Sequence, residues 1–223
     1  MKKYIFENID KHRVEPKIFR TMIIIKDPLP DFVNLSNVIN SIETMLPEVY
    51  FTGIDSIYIG KFEELEKNET NAMFFKGTMY IDNEQDNDKD LIDDITHEVA
   101  HNLEKIARSE IYGDNEIIKE FLAKRRKLFS ILKNNGFNPP HNFEMELKWD
   151  ENIDKFLYKD VTYAIMRKIS NGLFVTPYGA TSLREYFANG FESYYLGKIN
   201  RVKTVTPAVY AAIERLEEIT DEY

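Results

Sequence analysis

The chain has 223 residues, 43% hydrophobic and 30% charged, with a formal net charge of −9 and no cysteine. That length and apolar content can bury a core, which excludes a disordered or collagen-like chain. The absent cysteines exclude disulfides, thiolate metal sites and cysteine nucleophiles, so a metal must be held by His, Asp or Glu. The acid excess, with an isoelectric point near 5.1, speaks against a nucleic-acid partner, because phosphate neutralisation needs surplus Lys and Arg.

The first residues are basic, but Glu7 and Asp10 interrupt any apolar stretch. No secretory signal is expected, which makes a cytoplasmic location the default, with secretion or delivery by another route left open. The longest apolar runs, such as 22–25, are too short to span a bilayer, so membrane insertion is not expected. Oligomeric state is not legible from the chain.

Residues 21–26 are short, β-branched and closed by Pro28 and Pro30, which predicts a buried strand. Residues 31–46 carry apolar side chains at helical spacing from Phe32 to Leu46, and Pro47 ends that predicted helix. Residues 54–59 alternate and predict a second strand, whereas 61–70 are charged enough only for a short exposed helix or loop. Residues 72–82 have strand composition, with Gly77 suggesting a bulge or a close backbone approach. Two readings stand level here. Phe74, Phe75, Lys76, Gly77, Thr78, Met79 and Tyr80 form an edge strand that would hold an extended peptide through main-chain hydrogen bonds, or a β-hairpin that packs the sheet.

Residues 90–108 predict a helix with Ile92, Ile95, Val99, Leu103 and Ile106 on one stripe and His97 and His101 on the opposite side. These histidines bound His97-Glu98-Val99-Ala100-His101, a complete H-E-x-x-H. Four-residue spacing stacks two imidazoles one turn apart, where they can grip one metal ion while Glu98 points beside it as a general base. This predicts a helix forming the floor of a cleft, with hydrolytic chemistry. The bland alternative is a polar helix face that carries two histidines.

Residues 116–134 predict an amphipathic helix ended by Asn135-Gly136 and Pro139-Pro140. Its basic run, Lys124-Arg125-Arg126-Lys127, reads as a solvated face. Ile153, Phe156, Leu157, Val161, Ala164, Ile165 and Ile169 are assigned to the core, and His12 and His141 to the surface. A catalytic metal needs a third protein donor. Glu104 lies one turn past His101 and suits a supporting role, while Glu185 and Glu192 share a face of the helix predicted at 182–196, so either could reach the metal. Glu185 has a competing use, since Ser182-x-x-Glu185 is a capping box.

Tyr178-Gly179, Glu185 seven residues after the tyrosine, then Tyr186-Phe187-Ala188 and Phe191 resemble a known signature. Downstream of an H-E-x-x-H, it is similar to that of the anthrax lethal factor catalytic domain and the Pro-Pro endopeptidases, zincin metallopeptidases of the gluzincin type. The resemblance covers the two motifs and the run to Leu196; the first 85 residues match only in element order. It implies an α+β, zincin-like fold in a single domain over residues 1–223. A small mixed sheet and the active-site helix would make the N-terminal lobe, residues 1–110, and a mainly helical C-terminal lobe would span 111–223. It also implies Zn2+ held by His97, His101 and Glu185, with Glu98 as general base, Tyr178 as oxyanion donor, and peptides or proteins as substrates. One departure is Asn189, where relatives often carry an acid, so a carboxylate supporting the ligands is missing at that position. The competing functions are a catalytically inactive metal-binding or interaction module and a structural protein with a vestigial hydrolase surface.

Overall fold

Short β-branched segments set the sheet. The computed structural model describes residues 16–221, so the expectation for His12 lies outside it. Its strands are β1 (Lys17–Ile18), β2 (Thr21–Ile25), β3 (Ser56–Ile59), β4 (Ala72–Phe75) and β5 (Thr78–Ile81), in the spatial order β1-β2-β3-β5-β4. β2, β3 and β5 run parallel, and β1 and β4 close the two edges antiparallel. Ile23, Ile57, Ile59, Met79 and Ile81 point into the core and are at most 1% exposed. The β2 strand buries Thr21 and Ile23 on one face, while Met22 on the other face is exposed and so is Ile25 at the strand's end. On the outer face Tyr58 stacks on Tyr80 at 5.9 Å, and the Phe62 ring stands edge-on to Tyr80 at 5.2 Å.

The stretch 72–82 is a hairpin rather than one strand. Lys76 and Gly77 both have positive φ, 50° and 84°, the two-residue turn whose twist matches that of the flanking strands. Only glycine fits the second position, where a Cβ would come within 2.6 Å of Asp55 Oδ2. Phe74 and Phe75 thus lie on the edge strand β4, but Thr78, Met79 and Tyr80 lie on β5. That strand is paired on both sides, by β3 and β4, and has no free edge to offer a peptide.

The helix α1 (Leu35–Met45) begins later than residue 31, because the Asn34 side chain caps it by accepting from the Ser36 and Asn37 backbone N–H groups. Phe32 stays 68% exposed. The Asn34 N–H donates to Asp88 Oδ1 at 2.6 Å, which joins the start of α1 to the start of α3 (Asp88–Ile106). Between them, α2 (Glu63–Asn68) is the short helix expected in the charged stretch. Next come α4 (Arg108–Tyr112) and α5 (Glu116–Asn134), which Gly136 terminates at φ 84°.

The basic run on α5 is not a solvated face. Arg125 is fully buried; its guanidinium donates to the carbonyls of Phe143, Ala180 and Thr181, and Lys124 Nζ donates to Leu173 O at 2.8 Å. Only Arg126 and Lys127 face solvent. Helix α6 (Glu151–Lys155) continues as a π-helical turn, Phe156–Val161, and then α7 (Tyr163–Ile169). Ile153, Phe156, Leu157 and Val161 are buried as expected. Ala164 and Ile165 are exposed and Met166 takes the core position. The wider π turn and the break at Thr162, φ 67°, reset the phase of the apolar face.

A 3-10 turn (Tyr178–Ala180) leads into α8 (Leu183–Tyr195), followed by α9 (Ile199–Val205) and α10 (Pro207–Asp221). Helix α8 packs between α3 on one side and α5, α9 and α10 on others. Gly190 lets α10 close in, since a Cβ there would sit 2.7 Å from Val209 Cγ1. Helix α8 lies against α3 and leaves His97 partly exposed. Glu98, His101, Asn102 and Glu104 are buried along with Ile95, Val99 and Leu103 of the apolar stripe, whereas Ile92 is half-buried and Ile106 is 44% exposed. The protein is an α+β structure built on a small mixed sheet. Among the described residues, no helix is long and apolar enough to cross a membrane.

Candidate metal centre

The H-E-x-x-H lies wholly within α3, so helical geometry alone brings the two imidazoles together, with ring centres 4.8 Å apart. His97, Glu98 and His101 each present one donor atom, all within 4.8 Å of one another, a group that could hold a metal ion. Helix α8 brings the next carboxylate. Glu185 Oε2 is 3.0 Å from His97 Nε2 and Glu185 Oε1 is 3.4 Å from His101 Nε2. One carboxylate thus faces the same nitrogen of both rings.

The capping alternative for Glu185 is half right. Ser182 Oγ accepts from the Glu185 backbone N–H at 3.2 Å and caps α8, but the Glu185 carboxylate turns to the histidines instead of back to the cap. Glu192 lies on the other side of the first ring, with Oε2 3.1 Å from His97 Nδ1. Of the two acids that could reach a metal from α8, only Glu185 faces the Nε2 pair.

His101 has a second carboxylate as well. Its Nδ1 lies 3.1 Å from Glu104 Oε2 and 2.9 Å from Arg184 Nε. Arginine only donates, so Nδ1 cannot donate to Glu104 and accept from Arg184 at once. A ring that ligates through Nε2 carries its proton on Nδ1, which selects Glu104 as its partner; Arg184 Nε, 3.6 Å from Glu104 Oε2, then pairs with the carboxylate. The other oxygen of Glu104 accepts from the Tyr112 hydroxyl. The supporting role expected of Glu104 agrees with this geometry.

Charge is concentrated here. Burial would lower the His97 pKa, but hydrogen bonds to Glu185 and Glu192 outweigh it and lift it to about 10. Burial would raise the Glu185 carboxyl, yet the two histidines hold it far below the usual carboxylate range. Removing water makes each of these interactions stronger than it would be on the surface. Tyr178 follows from the 3-10 turn, its ring 6.5 Å from that of His97. Burial, with Glu185 beside it, pushes its phenol well above the ordinary tyrosine range, so the hydroxyl remains a donor.

The donor set fits a metal. Two imidazoles and a carboxylate converge, and Glu98 Oε2 is buried with no hydrogen-bond partner. An orphaned carboxylate oxygen costs stability unless the space beside it supplies a proton donor.

Searches against family profiles, curated proteins and solved structures find no match.

One feature escapes the sequence. Tyr163 packs edge-on against Tyr178 at 6.3 Å, carried there by Thr162, a β-branched residue at φ 67° and ψ 144°. Nothing local in the chain announces that contact, because α7 and the 3-10 turn meet only through folding. The Glu192 contact could be anticipated in part: its seven-residue spacing from Glu185 puts both on one face of α8. His141 is exposed, as expected.

Proposed function

We propose that this chain is a zinc-dependent endopeptidase with a zincin-like, single-domain architecture in two lobes. The observation that carries it is the Glu185 carboxylate, 88 residues after His97, set against Nε2 of both H-E-x-x-H histidines. Two imidazoles and one carboxylate make the three-ligand set of a catalytic zinc site. The likeness of Tyr178-Gly179, Glu185 and Tyr186-Phe187-Ala188 to the lethal factor and Pro-Pro endopeptidase signature points the same way.

When bound, Zn2+ would polarise a carbonyl and acidify a water. The chain's own residues would do the rest. His97, His101 and Glu185 hold the ion, and Glu98, with one free oxygen already buried beside them, takes a proton from the attacking water and passes it to the leaving amine. Tyr178, kept protonated by burial, donates to the oxyanion. The substrate is an extended peptide or protein segment along β4. That strand pairs only with β5 among the described residues, so its outer backbone groups are free to pair.

The test is Glu98→Gln against the wild type on a library of unstructured peptides, with Zn2+ content measured on both. The variant is expected to keep zinc and lose cleavage. Near-native turnover by the variant refutes the mechanism. A zinc-loaded wild type that cleaves nothing favours an inactive metal-binding module.

A further inference from the structure

We propose that Glu192 is a positioning residue of the metal centre, fixing the tautomer and ring orientation of His97. The proposal rests on the metal-site reading above. The resemblance implies that a supporting carboxylate is missing at position 189, where this chain has asparagine. Asn189 is committed elsewhere: its Oδ1 accepts from Thr176 Oγ1, and its Nδ2 donates to the Glu185 carbonyl at 2.9 Å. The carboxylate arrives from the next turn instead, with Glu192 Oε2 3.1 Å from His97 Nδ1.

A neutral imidazole carries one proton, and a metal needs the lone pair of the other nitrogen. With Nδ1–H donated to Glu192, Nε2 is the nitrogen left to give its lone pair to a metal held together with Glu185 and His101. Without Glu192 the two tautomers compete and the ring can turn about its side-chain bonds. The pair is shielded, with side chains 17% and 20% exposed, so water does not replace the bond freely. His101 is served differently, from its own helix, by Glu104. Helix α8 therefore contributes both a ligand, Glu185, and the residue that aims another ligand, Glu192. One register of α8 against α3 sets both.

The test uses Glu192→Ala and the conservative Glu192→Gln in the full chain, with three readouts. Zn2+ affinity is measured by chelator competition, histidine side-chain NMR resolves the ring nitrogens, and thermal unfolding is followed without metal. Removing such a partner is expected to weaken Zn2+ binding by about 10- to 100-fold in Glu192→Ala. The Nδ1–H signal of His97 should be lost or shifted while that of His101 stays in place. Glu192→Gln, which can still accept, should fall between the alanine variant and wild type. A wild type that binds Zn2+ and a Glu192→Ala variant that binds it equally well, with the His97 signal unchanged, overturn the proposal alone. Equal signal loss at His97 and His101, with a matching drop in unfolding temperature, also overturns it by showing a general packing defect. A wild type that takes up no Zn2+ overturns the metal reading and this proposal together.

Discussion

Arg125 offers a measurement of how the candidate site is braced. Its guanidinium donates through Nε to Phe143 O at 2.8 Å, through Nη1 to Ala180 O at 2.7 Å and more loosely to Thr181 O at 3.3 Å. The Ala180 and Thr181 carbonyls lie between Tyr178 and the Ser182 cap of α8, and the Phe143 carbonyl ties the preceding segment to the same guanidinium. Arg125→Met keeps the unbranched stem and removes the donors. Nη2 shares the Phe143 carbonyl with Nε; counting one bond per carbonyl at about 2 kcal/mol from a charged donor, the three acceptors sum to ~6 kcal/mol. Burial opposes this, lowering the Arg125 pKa from 12.5 to about 10, which corresponds to ~3 kcal/mol of desolvation that the methionine would recover. The net expected loss is about 3 kcal/mol, read from urea unfolding followed by circular dichroism. For a chain of this size it lowers the midpoint temperature by roughly 6–12 °C. Arg125→Lys should rescue only part of the loss, since an ammonium lacks the planar fork that spans separate carbonyls. An Arg125→Met variant within 0.5 kcal/mol of wild type, by the usual size of neutral substitutions, would refute the reasoning and show that the bonds merely offset the cost of burying the charge.

Two further outcomes are expected. Tyr178→Phe should leave Zn2+ affinity intact and lower kcat by about 100- to 1,000-fold in steady-state peptide cleavage; a variant with wild-type kcat removes Tyr178 from the chemistry. Burial raises the Asp94 carboxyl from 3.8 to about 6, against the hydrogen bond from Gln85 Nε2 at 3.0 Å. The folded chain thus holds that proton more tightly than the unfolded chain, so this contribution to stability is full below pH 4 and is lost as the pH rises through 6. Asp94→Asn keeps an acceptor for Gln85 and has no proton to lose. It should be more stable than wild type by about 3 kcal/mol at pH 7.5, with the gain vanishing near pH 4 in urea unfolding at the two pH values. An equal difference at both pH values would show that the effect is packing and not ionisation.

What the chain determines by itself is what sits within one helix turn or one cap. The α5 helix runs over Glu116–Asn134 where the periodicity and the Asn135-Gly136 stop place it, because those signals are local. The nearness of His97, Glu98 and His101 is equally local, since it follows from spacing within α3 and needs no partner. Tertiary structure decided the rest. Of the two readings of 72–82 the hairpin holds, because pairing with β3 keeps β5 inside the sheet and leaves only β4 at the edge. Arg125 is buried because its acceptors lie 18 and 55 residues away and arrive only when α5 meets the start of α8. Glu185 and Glu192 share one face, so the spacing along α8 does not say which of them meets the Nε2 side of the histidines; only the resemblance singled out Glu185. That depends on how far α8 slides along α3 before their side chains interlock, a quantity fixed by packing rather than by periodicity.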